Sequence, residues 1–448
     1  WETILKSRSD FTYTSHNVQD DGFSSGELRI SISAHDKNQP NISFSANTVL
    51  DIRNYRKDEN GDGIYDILDP EIKYQDFFIG TESGNYYQNS SYLGYLDNSG
   101  LKNIGIIEIH TECGMIGFGE TYAGVYCAEL MESVVKYLEK YLIGLDVDTR
   151  LIHNKIFSIP YVGRNGLLSS IGSGINIALY DIIGKKKNKP VYEILTDTPK
   201  DDVQVYASNG SSTYSVDVIS SDVESILGLG FDSYKMRIGY QDLPIDLKRV
   251  EKAREKLGDN ILMIDSIMGT LNPPWTLGIC EEVGSYLMDY SPYWWEEPLH
   301  PTSIEDMNYL TQNLDIKIAG GEALNSKLEF DMYNIHNSVN VIQPDVTNSG
   351  GFDECKDICN MNFEEVALHV WGSGCAVLSN LHFAISNPKV KYLEIPMMKL
   401  DITDEIMNTK IEIEDGKVKR PDVIGIGINI TDEIKRKYRL VTDSNYRI

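Results

Sequence analysis

Positive charge is what this chain is short of: 41 lysines and arginines face 67 aspartates and glutamates, a formal net charge of −26. Such a chain repels phosphate backbones and anionic headgroups, so nucleic acid and membrane surfaces are not expected as partners. Acidity does not exclude an anionic small molecule, because a buried site sets its own local field. No apolar run approaches the length expected of a bilayer-crossing helix, and no basic segment leads into an apolar one at the start. Cysteine is scarce too. The six (Cys113, Cys127, Cys280, Cys355, Cys359, Cys375) are scattered without a disulfide framework and read as reduced thiols of a cytoplasmic enzyme. Cys355 and Cys359 read as two small apolar residues on one helix face.

What is present is a beat. With 448 residues and 41% hydrophobic content the chain can bury a large core, enough for two domains or a barrel with an accessory domain. From residue 203 onward, short β-rich runs alternate with helix-length amphipathic segments. The runs are VQVYAS (203–208), SYKMRIG (233–239), ILMIDS (261–266), YWWEEP (293–298), KIAGGE (317–322), VIQPD (341–345), VALHV (366–370) and YLEIP (392–396). Eight strands with seven intervening helices fit a parallel barrel better than an open sheet. The segment before them mixes strand-like pieces with a long helix around AELMESVVKYLEKYL, an α+β pattern, and a helix-rich bridge joins the two.

The chemistry sits at the strand ends. Asp265, Glu296, Glu322, Asp345 and Glu394 end five of the runs, His369 a sixth, and a seventh carries Lys235 and Arg237. Parallel barrel strands all point their C-terminal ends at one mouth, so these groups should meet there. Three carboxylates from consecutive strands, Asp265, Glu296 and Glu322, would repel without a cation. All-oxygen ligation favours Mg²⁺ over zinc.

The order Lys-x-Arg, Asp, Glu-Glu-Pro, Gly-Glu, Pro-Asp, His, Glu resembles the mandelate racemase branch of the enolase superfamily, over about residues 150–400, and more loosely in IIEIHTECGMIGFGETY before them. The resemblance implies an α/β fold: a modified (β/α)7β TIM barrel at 161–400, linking helix included, under an α+β capping domain at 1–160. Residues 401–448 would return to the cap. It also implies Mg²⁺ on Asp265, Glu296 and Glu322, supported by Glu297, and a small-molecule carboxylate as substrate. His369, oriented by Asp345, would be the base. Glu394 would be a protonated acid beside the substrate carboxylate, and the protein a homo-oligomer.

One departure bears on the reaction. Racemases of this branch carry Lys-x-Lys on the second strand, where this chain has Lys235 and Arg237. A guanidinium is always protonated and makes a poor base, though it can clamp an anion. One-sided proton transfer suits dehydration of a sugar acid to a 2-keto-3-deoxy acid. Racemisation or epimerisation of a hydroxy or amino acid, or carboxylate binding without turnover, is the alternative. The third strand end, DSIMG, lacks the asparagine that often follows the aspartate.

Specificity should come from the cap. Arg164, in YVGRNGLL where cap meets barrel, is a candidate substrate-binding residue. DENGDGIYDILD (58–69) has the spacing of a calcium loop at Asp58, Asn60, Asp62, Gly63, Asp66 and Asp69. Its Asn-Gly and Asp-Gly pairs read better as a hairpin turn. Of the sequons at Asn41, Asn89, Asn209 and Asn429, that at Asn209 falls at a barrel strand end.

Overall fold

The computed structural model describes residues 103–438, apart from 161, 241–242 and 272, and the backbone of three earlier strands. Those strands, β1 (Phe11–Ser15), β2 (Gly26–His35) and β3 (Ser43–Ile52), form an antiparallel sheet in the order β1-β2-β3, in a compact unit of their own. The 58–69 loop and the sequons at Asn41 and Asn89 lie outside the described residues.

The larger unit begins with a hairpin, β4 (Gly105–His110) and β5 (Ile116–Thr121), followed by helices α1 (Ala123–Leu142), α2 (Thr149–Phe157) and α3 (Leu167–Lys187). By length and composition α3 could cross a membrane, contrary to the expectation that no run approaches that length. Here it is a core helix: all residues from Ser169 to Gly184 except Tyr180 and Ile183 are buried along it. Hairpin and helix touch backbone to backbone. A Cβ on Gly119 would lie 2.0 Å from the Gly174 carbonyl oxygen, so only glycine permits this approach. Asp181 on α3 ties the layers together. It accepts from the Phe118 N–H of β5 and the Ile426 N–H near the C-terminus, and pairs with Lys185.

After the short helix α4 (Val191–Leu195) come eight parallel strands: β6 (Asp202–Ser208), β7 (Ser233–Arg237), β8 (Ile261–Asp265), β9 (Trp294–Glu296), β10 (Lys317–Gly320), β11 (Val341–Ile342), β12 (Glu365–Leu368) and β13 (Val390–Pro396). They pair in sequence order and β13 closes onto β6. Seven helices return the chain: α5 (Val216–Gly228), α6 (Leu243–Leu257), α7 (Leu277–Leu287), α8 (Ile304–Asn313), α9 (Lys327–His336), α10 (Gly351–Cys359) and α11 (Gly374–Ser386). The expected (β/α)7β barrel is therefore present, every run in place. The large apolar cluster lies between strands and helices, where outward strand residues such as Val205, Ile264, Trp295 and Ile342 meet the helices' apolar faces. Past the barrel, α12 (Asp401–Ile406) is followed by a hairpin, β14 (Ile413–Glu414) and β15 (Lys417–Lys419), paired antiparallel to β6, and by α13 (Asp432–Lys437), whose Lys435 pairs with Glu108 of β4.

Candidate active site

Side chains alternate along a strand, so the barrel interior fills in layers. One layer is apolar and aromatic: Tyr206, Met263, Trp294, Ala319, Val341, Ala367 and Tyr392. Two residues further on, the same face of six strands carries Ser208, Asp265, Glu296, Gln343, His369 and Glu394. This resolves the odd run YWWEEP. Trp294 fills the interior and donates its Nε1–H to Glu296 Oε2 (3.0 Å), while Trp295 faces the helices and donates to Ser266 (2.7 Å). Glu297 then leaves the strand at φ +40°, an uncommon conformation for a side-chain-bearing residue.

Register brings Arg237, Asp265 and Glu296 level across β7, β8 and β9. Asp265, Glu296 and Glu322 each offer a carboxylate oxygen, all within 4.8 Å of one another. Asp265 Oδ2 and Glu297 Oε1 are buried and accept no hydrogen bond, and the cations nearest Asp265 Oδ2, Lys235 Nζ and Arg237 Nε, stand off at 3.6 and 3.8 Å. A buried carboxylate oxygen left without a donor is costly unless a cation meets it. An all-oxygen set around such an oxygen fits a hard divalent ion.

The charges are unbalanced without one. Burial, then the neighbouring acids, raise the Glu296 carboxyl to about 8 against the pull of Lys235. Glu297 and Glu322 are raised as well, burial first in each case. Lys235 is fully buried, its Nζ 2.6 Å from Glu296, 3.1 Å from Glu394 and 3.6 Å from Asp265. Burial disfavours its charge, but these acids overcome it and hold the ammonium well above its ordinary range.

On the other side His369 Nδ1 lies 3.0 Å from Asp345 Oδ2, and Nε2 lies 3.6 Å from Glu322. Asp345 is held in turn: its Oδ1 accepts from the Thr347 N–H and hydroxyl (2.8 Å each) and the Asn380 amide (2.9 Å). The pair is thus preorganised, with Nδ1–H facing Asp345 and Nε2 facing the cluster. Burial lowers His369, yet Glu322, Glu394 and Asp345 lift it to about 9.

Glu394, expected to be a protonated acid, is raised by burial, but Lys235 above all, with His369 and the Val370 N–H (3.0 Å), outweighs burial and brings its carboxyl down to about 2. Arg237 is fixed rather than poised. Its guanidinium donates to the Asn209 carbonyl and the Ser208 hydroxyl (3.2 Å each), lies 5.3 Å from the Trp371 ring, and reaches Asp265 at 3.8 Å. Arg164 stays at the surface, lining a cleft with His153, Phe157 and Lys327 rather than joining the cluster. Asn209, whose sequon drew notice, is buried and donates to Asp222 (2.6 Å).

Sequence reasoning missed Gln343, which donates to Glu296 Oε2 (2.6 Å), and Asn380. Gln343 was findable, since it stands two residues before Asp345 on a strand whose odd positions face inward. Asn380 lies within α11, where no spacing rule points at Asp345.

Two family models match this chain. Residues 99–196 match the mandelate racemase / muconate lactonizing enzyme N-terminal domain, and residues 219–434 the enolase C-terminal domain-like family. The chain is 28% identical over 344 residues to an arabinonate dehydratase of Saccharolobus solfataricus, covering 74% of this chain and 89% of that one. It is 28% identical over 356 residues to a D-galactarolactone cycloisomerase of Agrobacterium fabrum, covering 75% and 91%. The structure of a Streptomyces coelicolor racemase with bound magnesium superposes with a TM-score of 0.66 at 26% identity, covering 75% of this chain and 90% of that one.

Proposed function

Because this chain belongs to the mandelate racemase and muconate lactonizing enzyme family of the enolase superfamily, we propose that it is a Mg²⁺-dependent dehydratase of sugar acids. In this reading it removes the proton next to the carboxylate of an aldonate or aldarate. The hydroxyl of the adjacent carbon leaves as water, and the resulting enol becomes a 2-keto-3-deoxy acid.

The observation that carries the reading is the geometry of His369, held through one ring nitrogen with the other turned toward the carboxylate cluster. His369 presents Nε2 while Asp345 holds the other nitrogen (3.0 Å), whereas Lys235 and Arg237 are both tied down as cations. Proton transfer is then confined to one face, which suffices for elimination but not for racemisation. Asp265, Glu296 and Glu322 would hold Mg²⁺, which when bound supplies the charge that stabilises an enediolate. Lys235 and Arg237 add positive charge where the substrate carboxylate would lie. His369, once protonated, would return its proton to the departing hydroxyl. The dehydratase among the relatives supports this chemistry.

The galactarolactone cycloisomerase among the relatives favours a second reading, in which an intramolecular oxygen rather than a hydroxyl leaves. Both begin with the same proton abstraction. The six cysteines, all described, form no disulfide, which supports a reducing, cytoplasmic setting. The test is a panel of aldonic and aldaric acids with Mg²⁺, read as 2-keto acid by semicarbazide absorbance with a chelator control. Metal-dependent product from an open-chain acid is expected. Product from lactones or anhydro acids alone would move the assignment to the cycloisomerase.

A further inference from the structure

Part of what holds Asp345 and His369 comes from outside the barrel. Glu120, near the end of β5, is buried, and its carboxylate reaches the N-terminus of α11, a helix of 13 residues. It accepts from the Ser373 N–H (2.9 Å to Oε1), the Ser373 hydroxyl (2.6 Å) and the Ala376 N–H (2.9 Å). The Ser373 hydroxyl oxygen in turn accepts from Cys375 N–H (3.2 Å). A carboxylate here satisfies amide donors that the helix cannot, and it meets the positive end of the helix dipole. The approach needs glycine next to it, because a Cβ on Gly372 would lie 2.4 Å from Glu120 Oε1.

The residue four back from Ser373 is His369. Two residues on from Glu120, Tyr122 donates its N–H to the Thr347 carbonyl (3.0 Å) and sets its ring edge-on to the imidazole, centroids 5.4 Å apart. Thr347 is the residue whose N–H and hydroxyl hold Asp345. One segment, 120–122, therefore grips both loops that carry the pair. This carboxylate meets the chain at Ser373, at the end of the loop that begins with His369.

We propose that Glu120 is a positioning residue for the Asp345–His369 pair, so that docking of the β5 end against α11 is what makes His369 a competent base. The proposal rests on the reading of His369 as the base.

The test uses Glu120→Gln in the full chain with Mg²⁺ present. One readout needs no substrate: ¹⁵N-histidine NMR of His369 followed from neutral pH to above the value of about 9 at which the ring becomes neutral, where its wild-type resonances should report a single tautomer with the proton on Nδ1. In Glu120→Gln these resonances are expected to broaden or divide. On the acid that turns over in the panel, kcat should fall about 10- to 100-fold, as for partners that orient a ligating or catalytic group, with KM changed less than about threefold. Wild-type resonances and kcat in Glu120→Gln, with only a lower melting temperature, would make Glu120 a structural latch and overturn the proposal. Ser373→Ala removes one of the three bonds and carries the same test if Glu120→Gln does not fold. It should show a smaller effect in the same direction, and unchanged resonances and kcat in it would overturn the proposal. If no acid in the panel turns over, the dehydratase reading fails, while the NMR comparison still decides the role of Glu120.

Discussion

Titrating Mg²⁺ into the protein should release protons, and the amount follows from the charges around the site. Six carboxyl groups, Asp265, Glu296, Glu297, Glu322, Asp345 and Glu394, share a buried region with two permanent cations, Lys235 and Arg237, and one histidine. The excess is met by protons until a metal arrives. Glu296 held at about 8 is roughly nine-tenths protonated at pH 7 and must ionise to coordinate, so about one proton per Mg²⁺ is expected from it alone. Glu297 and Glu322, both raised, and His369, held up to about 9 largely by Glu322 and Glu394, can add to that number. One coupled proton makes apparent affinity rise about tenfold per pH unit, or about 1.4 kcal/mol, between pH 6 and 7, flattening above pH 8. Calorimetry in two buffers of different ionisation enthalpy reads the proton number directly, and Asp265→Asn is the control without binding. Equal heats in both buffers, with affinity flat from pH 6 to 7, would mean that Lys235 and Arg237 already compensate the acids, and the electrostatic argument would be refuted.

Three further outcomes follow from particular residues. His369→Asn should lower exchange of the substrate α-proton in heavy water by at least about 10²-fold while Mg²⁺ still binds; exchange at the wild-type rate would transfer the role of base to another group. Trp294→Ala opens the apolar layer beneath the site and removes a donor to Glu296, so a loss of about 3–5 kcal/mol is expected in denaturant unfolding. His382 is buried, accepts from the Tyr192 N–H (3.2 Å) and bonds the Ile426 carbonyl (3.0 Å), and burial lowers it to about 4. A depressed histidine favours the fold fully above its unfolded value near 6.5, and that contribution disappears as pH falls toward 4. On the order of 3 kcal/mol is at stake, and His382→Gln should flatten the fall in stability between pH 7 and 4.5.

The barrel was legible because its signals are local: short β-rich runs alternating at an even spacing with helix-length amphipathic segments give each strand, and parallel strands oblige their charged ends to share one mouth. That is why Asp265, Glu296, Glu322, Asp345, His369 and Glu394 could be named before any coordinates, along with the consequence of Arg237 replacing a second lysine. Charge states were not legible. Whether Glu394 is protonated depends on a Lys235 ammonium 3.1 Å away, a distance between strands β7 and β13 that far separated stretches of chain decide together. Arg164 looked available from its position in the chain, and only packing shows it at the surface with His153 and Lys327. The grip of Glu120 on Ser373 spans 253 positions, and nothing local to GFGET records it. Sequence by itself determined which groups this protein owns and which strand ends carry them. Tertiary structure decided which of them are charged and which hold the others still, because those properties depend on burial and on distances that local pattern does not encode.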